Sequence, residues 1–162
     1  MLFRQYVLNP LTSLFLLASV LHSLEAAGLD PIQIEDGFVS IFDGQSLNGW
    51  GGNKKLWRVE DGILIGETTS PLKATTYLIW QQGKVDDFEL LLEYRITNGN
   101  SGIQYRSQDL GGFRVAGYQA DMEFGPNHSG ILYEQDGRGI VTKRGERTSI
   151  KDDGMKINGK PI

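Results

Sequence analysis

The stretch Gly117–Phe124 reads GYQADMEF and alternates strictly in side-chain character. Successive side chains of a β-strand point to opposite faces, so a period of two predicts a strand rather than a helix. One face would carry Tyr118, Ala120, Met122 and Phe124, and the other Gln119, Asp121 and Glu123. Three adjacent polar groups, two of them carboxylic acids, suit acid–base chemistry or the binding of sugar hydroxyls.

The same period recurs along most of the chain. Gly, Asn and Asp residues bound the alternating segments, and Asp61-Gly62 between two such segments is a strong hairpin signal. The segments are 38–42, 56–60, 63–66, 77–80, 88–96, 102–106 and 130–134. Many short strands with tight turns predict an all-β, two-layer antiparallel sandwich, with an eight-stranded barrel as the main alternative.

Composition excludes several classes of function. The 162 residues suffice for one domain, and a net charge of −4 without a basic block argues against a nucleic-acid partner. The chain has no cysteine, which rules out disulfides, thiolate chemistry and Cys-based zinc sites. Its two histidines, His22 and His128, are too few for a three-histidine metal site.

The N-terminal residues are typical of a targeting segment. Arg4 precedes the apolar run Leu11–Leu21, and small residues follow at Ala26 and Ala27. The run is too short to span a bilayer comfortably, so residues 1–27 are predicted to be a signal peptide and 28–36 a linker. We therefore expect an exported protein, periplasmic or extracellular, with no membrane contact after cleavage; an uncleaved N-terminal anchor is the alternative.

Several segments together resemble a known family, and their order and spacing carry the resemblance. They are Phe42–Trp50 (FDGQSLNGW), Trp57–Leu64 (WRVEDGIL), Phe88–Leu90, Asn100–Arg106 (NSGIQYR), Gly117–Asp121 (GYQAD), Gly130–Glu134 (GILYE) and Gly137–Gly139. This set resembles the 3-keto-disaccharide hydrolases. The resemblance implies a concanavalin A-like jelly roll, an exported location, and action on an oligosaccharide or 3-keto-glycoside substrate.

The resemblance also implies a longer domain. Family members continue past the charged 151–160 region into further strands, whereas this sequence stops at Ile162. We therefore expect residues 37–162 to form a jelly-roll domain that lacks its C-terminal strands.

A ketone at C3 of a sugar acidifies the hydrogen on C2. A base can then remove that proton, the C1 substituent leaves by elimination, and addition of water completes a net hydrolysis. Asp121 and Glu123, which a strand would place about 7 Å apart on one face, are the candidate acid and base. Arg106 is the candidate group for the carbonyl or enolate oxygen, since its guanidinium offers a fork of N–H donors.

The candidate substrate-binding residues surround these three. Gln104 and Arg106 are predicted to share a face on the preceding strand, next to Gln119. Glu134 ends another predicted strand and could reach the same face, and His128 lies in a turn-rich loop after the key strand.

Two alternatives are a different cleavage chemistry and a protein without catalytic activity. The strand also resembles the Glu-x-Asp-x-x-Glu strand of laminarinase-type glucanases, but Gln119 stands where their nucleophile would be. An amide cannot form the glycosyl ester of a retaining enzyme, so that chemistry is disfavoured. A non-catalytic, lectin-like carbohydrate-binding module is the other function. No cofactor is predicted; Asp and Asn clusters leave calcium open as an alternative, although no EF-hand loop is present.

Overall fold

The computed structural model describes residues 2–8 and 37–161. Every regular element within these residues is a β-strand, and none is a helix that could cross a membrane. The strands are β1 (Leu2–Leu8), β2 (Phe38–Ser40), β3 (Trp50–Gly51), β4 (Trp57–Glu60), β5 (Ile63–Gly66), β6 (Ile79–Trp80), β7 (Leu90–Arg95), β8 (Asn100–Gly111), β9 (Arg114–Glu123), β10 (Leu132–Gln135), β11 (Gly139–Thr142), β12 (Glu146–Ile150) and β13 (Lys156–Pro161). All pairings among them are antiparallel.

Among the described residues, the first compact unit comprises residues 2–8, 37–71 and 78–95. Its main sheet runs β2-β1-β5-β4, with β7 also paired to β1, and β3 pairs separately with β6. The turn between β4 and β5 has positive φ at both Asp61 (49°) and Gly62 (76°), which is the geometry that a two-residue hairpin loop requires. The hairpin predicted at Asp61-Gly62 is therefore confirmed.

Strand β1 lies within the predicted signal peptide. It pairs with β7 from Leu2 to Val7. Residues 9–36, which hold the apolar run, the expected cleavage point and the linker, lie outside the described residues. Cleavage of the signal peptide stays a prediction. If residues 1–27 are removed, the main sheet of this unit loses β1.

Among the described residues, the second compact unit comprises residues 72–77 and 96–161. Its main sheet has the order β11-β10-β9-β8, and β12 pairs with β13. The predicted alternation of Gly117–Phe124 is confirmed in β9, but burial does not follow side-chain polarity. Gln119 and Asp121 on the polar face are buried, as is Met122 on the apolar face, whereas Ala120 is exposed and Phe124 is 66% exposed.

A β-bulge interrupts β8 where it passes Gly117. Arg106 has a φ of 46°, and the register with β9 shifts between Tyr105 and Gln108. A bulge inserts an extra residue, which ends strict alternation beyond it. A methyl group on Gly117 would lie 2.8 Å from the carbonyl oxygen of Arg106, so glycine is needed where the bulge approaches β9.

The chain is all-β, with antiparallel sheets of the kind that build a concanavalin A-like sandwich, as the sequence predicts. Strand lengths were predicted less well. β8 extends to Gly111, well past the predicted end at Arg106, and β11 to β13 occupy a region whose glycines and charges gave no strand signal.

Candidate functional site

The polar face of β9 is completed by two neighbouring strands. Gln104 of β8 and Tyr133 of β10 both pair with Gln119. Gly102 pairs with Asp121 and Asn100 with Glu123. Directly paired residues share a face of the sheet, so these side chains belong to one surface.

A row of hydrogen bonds runs along this surface toward Asp121. The Gln104 amide donates to Gln119 Oε1 (2.8 Å), and the Gln119 amide donates in turn to Asp121 Oδ1 (2.5 Å). The Gln104 amide also contacts the Tyr77 hydroxyl (3.4 Å), which donates to Gln135 Oε1 (2.9 Å). Each buried polar group in the row thus has a partner, which fixes the orientation of the two glutamines.

Asp121 is buried, with 9% of its surface exposed. Burial raises the pKa of its carboxyl group, because the charged form loses hydration, and the nearby Glu123 charge acts in the same direction. Hydrogen bonds from the Gln119 and Asn100 side chains, and the proximity of His128, oppose this rise without cancelling it. Asp121 therefore holds its proton more tightly than an ordinary aspartate.

Glu123 is held by the loop that follows β9. Its Oε2 accepts the backbone N–H groups of Asn127 (2.8 Å) and His128 (2.9 Å), and its Oε1 lies 2.8 Å from His128 Nδ1. The Ser129 hydroxyl accepts the N–H of Glu123 at 2.8 Å. Bonds that favour the ionised form, led by the backbone N–H of His128, lower the pKa of Glu123.

The Glu123–His128 contact orients the imidazole ring. With Nδ1 directed to a carboxylate, Nε2 is the nitrogen left to exchange protons with another molecule. The side chain of His128 is 43% exposed and that of Glu123 only 15%. The carboxylate is therefore covered while the ring that it positions is accessible.

Glu134 does not lie on this surface, contrary to prediction. It pairs with Tyr118, one residue out of phase with the Tyr133–Gln119 pair, which puts it on the opposite face. There its carboxylate forms an ion pair with Arg138, and Arg138 donates to the Tyr118 hydroxyl at 2.7 Å. The side-chain hydrogen bond from Arg138 is the main contact that lowers the pKa of Glu134.

The prediction for Arg106 loses the regular alternation on which it was based. The predicted sharing of a face with Gln104 assumed unbroken alternation, and the bulge breaks it at Arg106 itself, which is exposed. Ser107, which lies in the same bulge, donates its hydroxyl to Gln104 Oε1 at 3.1 Å.

Three contributors were missed by sequence reasoning. Asn100 could have been found by extending the period of two back from Gln104. Tyr77 and Gln135 could not, because only the chain's path brings Tyr77 against β8 and β10. Burial raises the pKa of Tyr77 to about 12, so its phenol stays protonated and acts as a neutral hydrogen-bonding group.

A cavity of about 220 Å³ lies in the same unit. Its lining is formed by Ala74, Thr75, Tyr77, Arg114, Val115, Gln135 and Asp136. Neither Asp121 nor Glu123 lines it, so the predicted carboxylates do not border this hollow. Within residues 2–8 and 37–161, no group of three or more acidic or histidine side chains is arranged to hold a metal ion.

A protein-family model matches most of this chain. The model of the 3-keto-alpha-glucoside-1,2-lyase-like domain matches residues 37–158, which include every strand from β2 to β12 and therefore the three strands that form the polar surface. The chain belongs to this family. The resemblance predicted from the sequence is thereby confirmed, and the match starts one residue before β2.

A curated relative is a 3-keto-disaccharide hydrolase of Bacteroides thetaiotaomicron. The two are 36% identical over 101 residues, which covers 54% of this chain and 34% of the relative. This chain thus spans about a third of the length of the relative that it matches. No solved structure matches the chain.

Proposed function

We propose that this protein is an exported enzyme that cleaves 3-keto-glycosides by elimination across C1 and C2, followed by hydration. Family membership carries the proposal: the family is described as lyase-like at this bond, and the curated relative is named a 3-keto-disaccharide hydrolase. The opposite pKa shifts of Asp121 and Glu123 are the chemical observation that supports it.

The two carboxyl groups suit different roles. The pKa of Asp121 is raised and that of Glu123 is lowered, so on one strand face one group tends to keep its proton and the other to lose it. Neighbouring groups whose environments separate their pKa values are the usual arrangement for an acid and a base.

In the proposed reaction, Asp121 is the acid and the Glu123–His128 pair supplies the base. His128 Nε2 takes the proton from C2, and the electron pair left on C2 moves into an enolate with the C3 carbonyl. Collapse of the enolate expels the C1 oxygen, which receives the proton of Asp121. Water then adds across the C1–C2 double bond, which restores the C2 hydrogen and completes hydrolysis.

The other predicted site residues differ in the role that the proposed reaction gives them. Gln119 and Gln104 hold the Asp121 carboxyl in place, as their hydrogen bonds indicate. A role for Arg106 in steadying the enolate oxygen remains a prediction, and Glu134 is left out of the site because of its face.

The decisive experiment is cleavage of a 3-keto-disaccharide and its unoxidised parent in deuterated water. We expect cleavage of the keto sugar alone, with deuterium at C2 of the released product. Cleavage of both sugars at equal rates, or a product without deuterium at C2, would refute elimination. Binding of the sugar without any turnover would identify a lectin-like module instead.

Variants link the activity to the surface. Asp121→Asn should lower turnover by about 10²–10⁴-fold, the usual contribution of a general acid or base. Glu134→Gln changes a carboxylate of the neighbouring strand on the other face and is the matched control, expected to keep wild-type turnover. Equal losses in both variants would contradict the assignment of faces.

A further inference from the structure

The loop that carries His128 is built from turn-forming residues. Residues 125–130 (GPNHSG) lie between β9 and β10 and include two glycines, a proline and an asparagine. Glycine permits many backbone conformations, so this sequence alone does not select one path for the loop. The loop nevertheless keeps His128 Nδ1 at 2.8 Å from Glu123 Oε1. Contacts from outside the loop are therefore needed to fix its path.

Arg144 supplies such contacts from the turn between β11 and β12. Its guanidinium donates to two backbone carbonyls of the loop, from Nη2 to Pro126 (3.0 Å) and from Nη1 to Ser129 (3.4 Å). The two carbonyls flank Asn127 and His128 in the chain. Because the guanidinium is a rigid, planar fork of donors, it fixes the distance between the two groups that it bridges.

The residues between these two carbonyls are the ones that hold Glu123. The backbone N–H groups of Asn127 and His128 both donate to Glu123 Oε2. Arg144 thus bridges the outside of the same short segment whose inside is bonded to the carboxylate. If the bridge is lost, the two N–H groups and the imidazole ring can leave Glu123 together, because one backbone segment carries all three.

The stem of Arg144 also lies close to the end of the loop. A methyl group on Gly130 would lie 3.6 Å from Arg144 Cδ and 3.8 Å from its Cγ. Gly130 has a φ of 81°, a conformation that glycine adopts without strain and that turns the chain toward β10. The arginine therefore contacts the loop with its stem as well as with its guanidinium.

We propose that Arg144 is a positioning residue, which holds the loop in the conformation that directs His128 Nδ1 to Glu123 and leaves Nε2 to exchange protons. Arg144 acts through His128 and touches no reacting atom. The consequence for catalysis rests on the proposed function, whereas the effect on the loop and on the imidazole ring does not.

The first test is the tautomer of His128, which requires no substrate. Proton–nitrogen NMR spectra of the full chain show which ring nitrogen carries the hydrogen, and the His128 signals are those that disappear in His128→Gln. In the wild type we expect the hydrogen of the neutral ring on Nδ1, which faces the Glu123 carboxylate. Arg144→Ala should shift the ring to a mixture of the two tautomers.

The second test is the cleavage of a 3-keto-disaccharide. Arg144→Ala should lower kcat by about 10–10²-fold and change KM by less than about twofold, because a displaced base slows the chemical step without weakening binding. Arg144→Lys keeps the charge but not the fork, so it should fall between Arg144→Ala and wild type in both tests.

Lys143→Ala is the matched control. It removes the same charge from an exposed neighbour in the same turn, and the hydrogen bond from the Glu146 N–H to the Lys143 carbonyl does not require the side chain. This variant should keep the wild-type tautomer and kcat.

A wild-type tautomer in Arg144→Ala would overturn the proposal, even if its urea midpoint is lowered, because Arg144 would then serve stability alone. Equal losses of kcat in Arg144→Ala and Lys143→Ala would also overturn it. If Arg144→Ala does not fold, the tautomer ratio and kcat of Arg144→Lys decide. A wild type that cleaves no 3-keto-disaccharide would refute the proposed function instead, and the tautomer would still decide whether Arg144 positions the ring.

Discussion

Replacing Gly102 with alanine tests whether the packing of Gln119 sets the properties of Asp121. Gly102 faces Asp121 across the β8–β9 pair, and a methyl group there would lie 2.5 Å from Gln119 Cγ and 2.7 Å from the carbonyl oxygen of Ala120. Distances this short cannot persist. Because the carbonyl oxygen belongs to a paired strand, the buried Gln119 side chain must move.

Two costs and one smaller gain determine the change in the free energy of unfolding. Overpacking costs about 1–3 kcal/mol. A displaced Gln119 loses its bonds to Gln104 and to the Asp121 carboxylate, together about 2 kcal/mol. Alanine returns about 0.5–1 kcal/mol relative to glycine in a strand. We expect a net loss of about 3 kcal/mol, or a urea midpoint lowered by about 1.5 M.

The measurement is urea unfolding together with an NMR titration of the Asp121 carboxyl. The pKa of Asp121 should rise further in Gly102→Ala, because the Gln119 bond that opposes the effect of burial is lost. Gly99→Ala is the control: its φ of 76° strains alanine, but nothing lies within 4 Å of the added methyl group. It should lose stability without altering the Asp121 titration. A Gly102→Ala variant with the wild-type midpoint and titration would refute the reasoning.

Four further predictions concern the two carboxyl groups, His128 and the leader. The pKa of Asp121 is raised in the folded state above its ordinary value of 3.8. The stability of wild type relative to Asp121→Asn should therefore be greatest at acid pH and fall as the pH rises through the raised pKa. Urea unfolding across pH measures this difference, and a rise in relative stability with pH would contradict the prediction. The lowered pKa of Glu123 has the opposite sign, so stability relative to Glu123→Gln should be present above 4.5 and be lost as the pH falls through the lowered value, which the same titration measures. If His128 is the base, His128→Ala should lose about 10²–10⁴-fold in turnover while keeping substrate affinity, and an unchanged kcat would remove it from the mechanism. Mass spectrometry of exported protein should find a chain that begins after Ala27, without β1, whereas an intact N-terminus would identify an uncleaved leader.

Much of the site was accessible from the sequence because β-strands impose a fixed period. Gln119, Asp121 and Glu123 share a face for the same reason that any i, i+2, i+4 set does. The predicted face of Glu134 is wrong, whereas that of Arg106 stays a prediction without its original basis, and the physical causes differ. For Glu134 the pairing register with β9, which no residue of β10 reveals alone, decides the face. For Arg106 a bulge inserts one residue into β8 and ends the alternation on which the prediction depended.

The sequence by itself determined the strand class, the Asp61-Gly62 hairpin and the family, since these depend on local periodicity, turn chemistry and motif order. Only the tertiary structure decided that the polar face of β9 is covered near Asp121, and that Tyr77 and Gln135 extend its hydrogen-bond row. It also decided that the carboxyl groups of Asp121 and Glu123 shift in opposite directions. Burial and hydrogen bonding come from segments distant in the chain, and two neighbouring acids acquire different proton affinities only when those segments meet them.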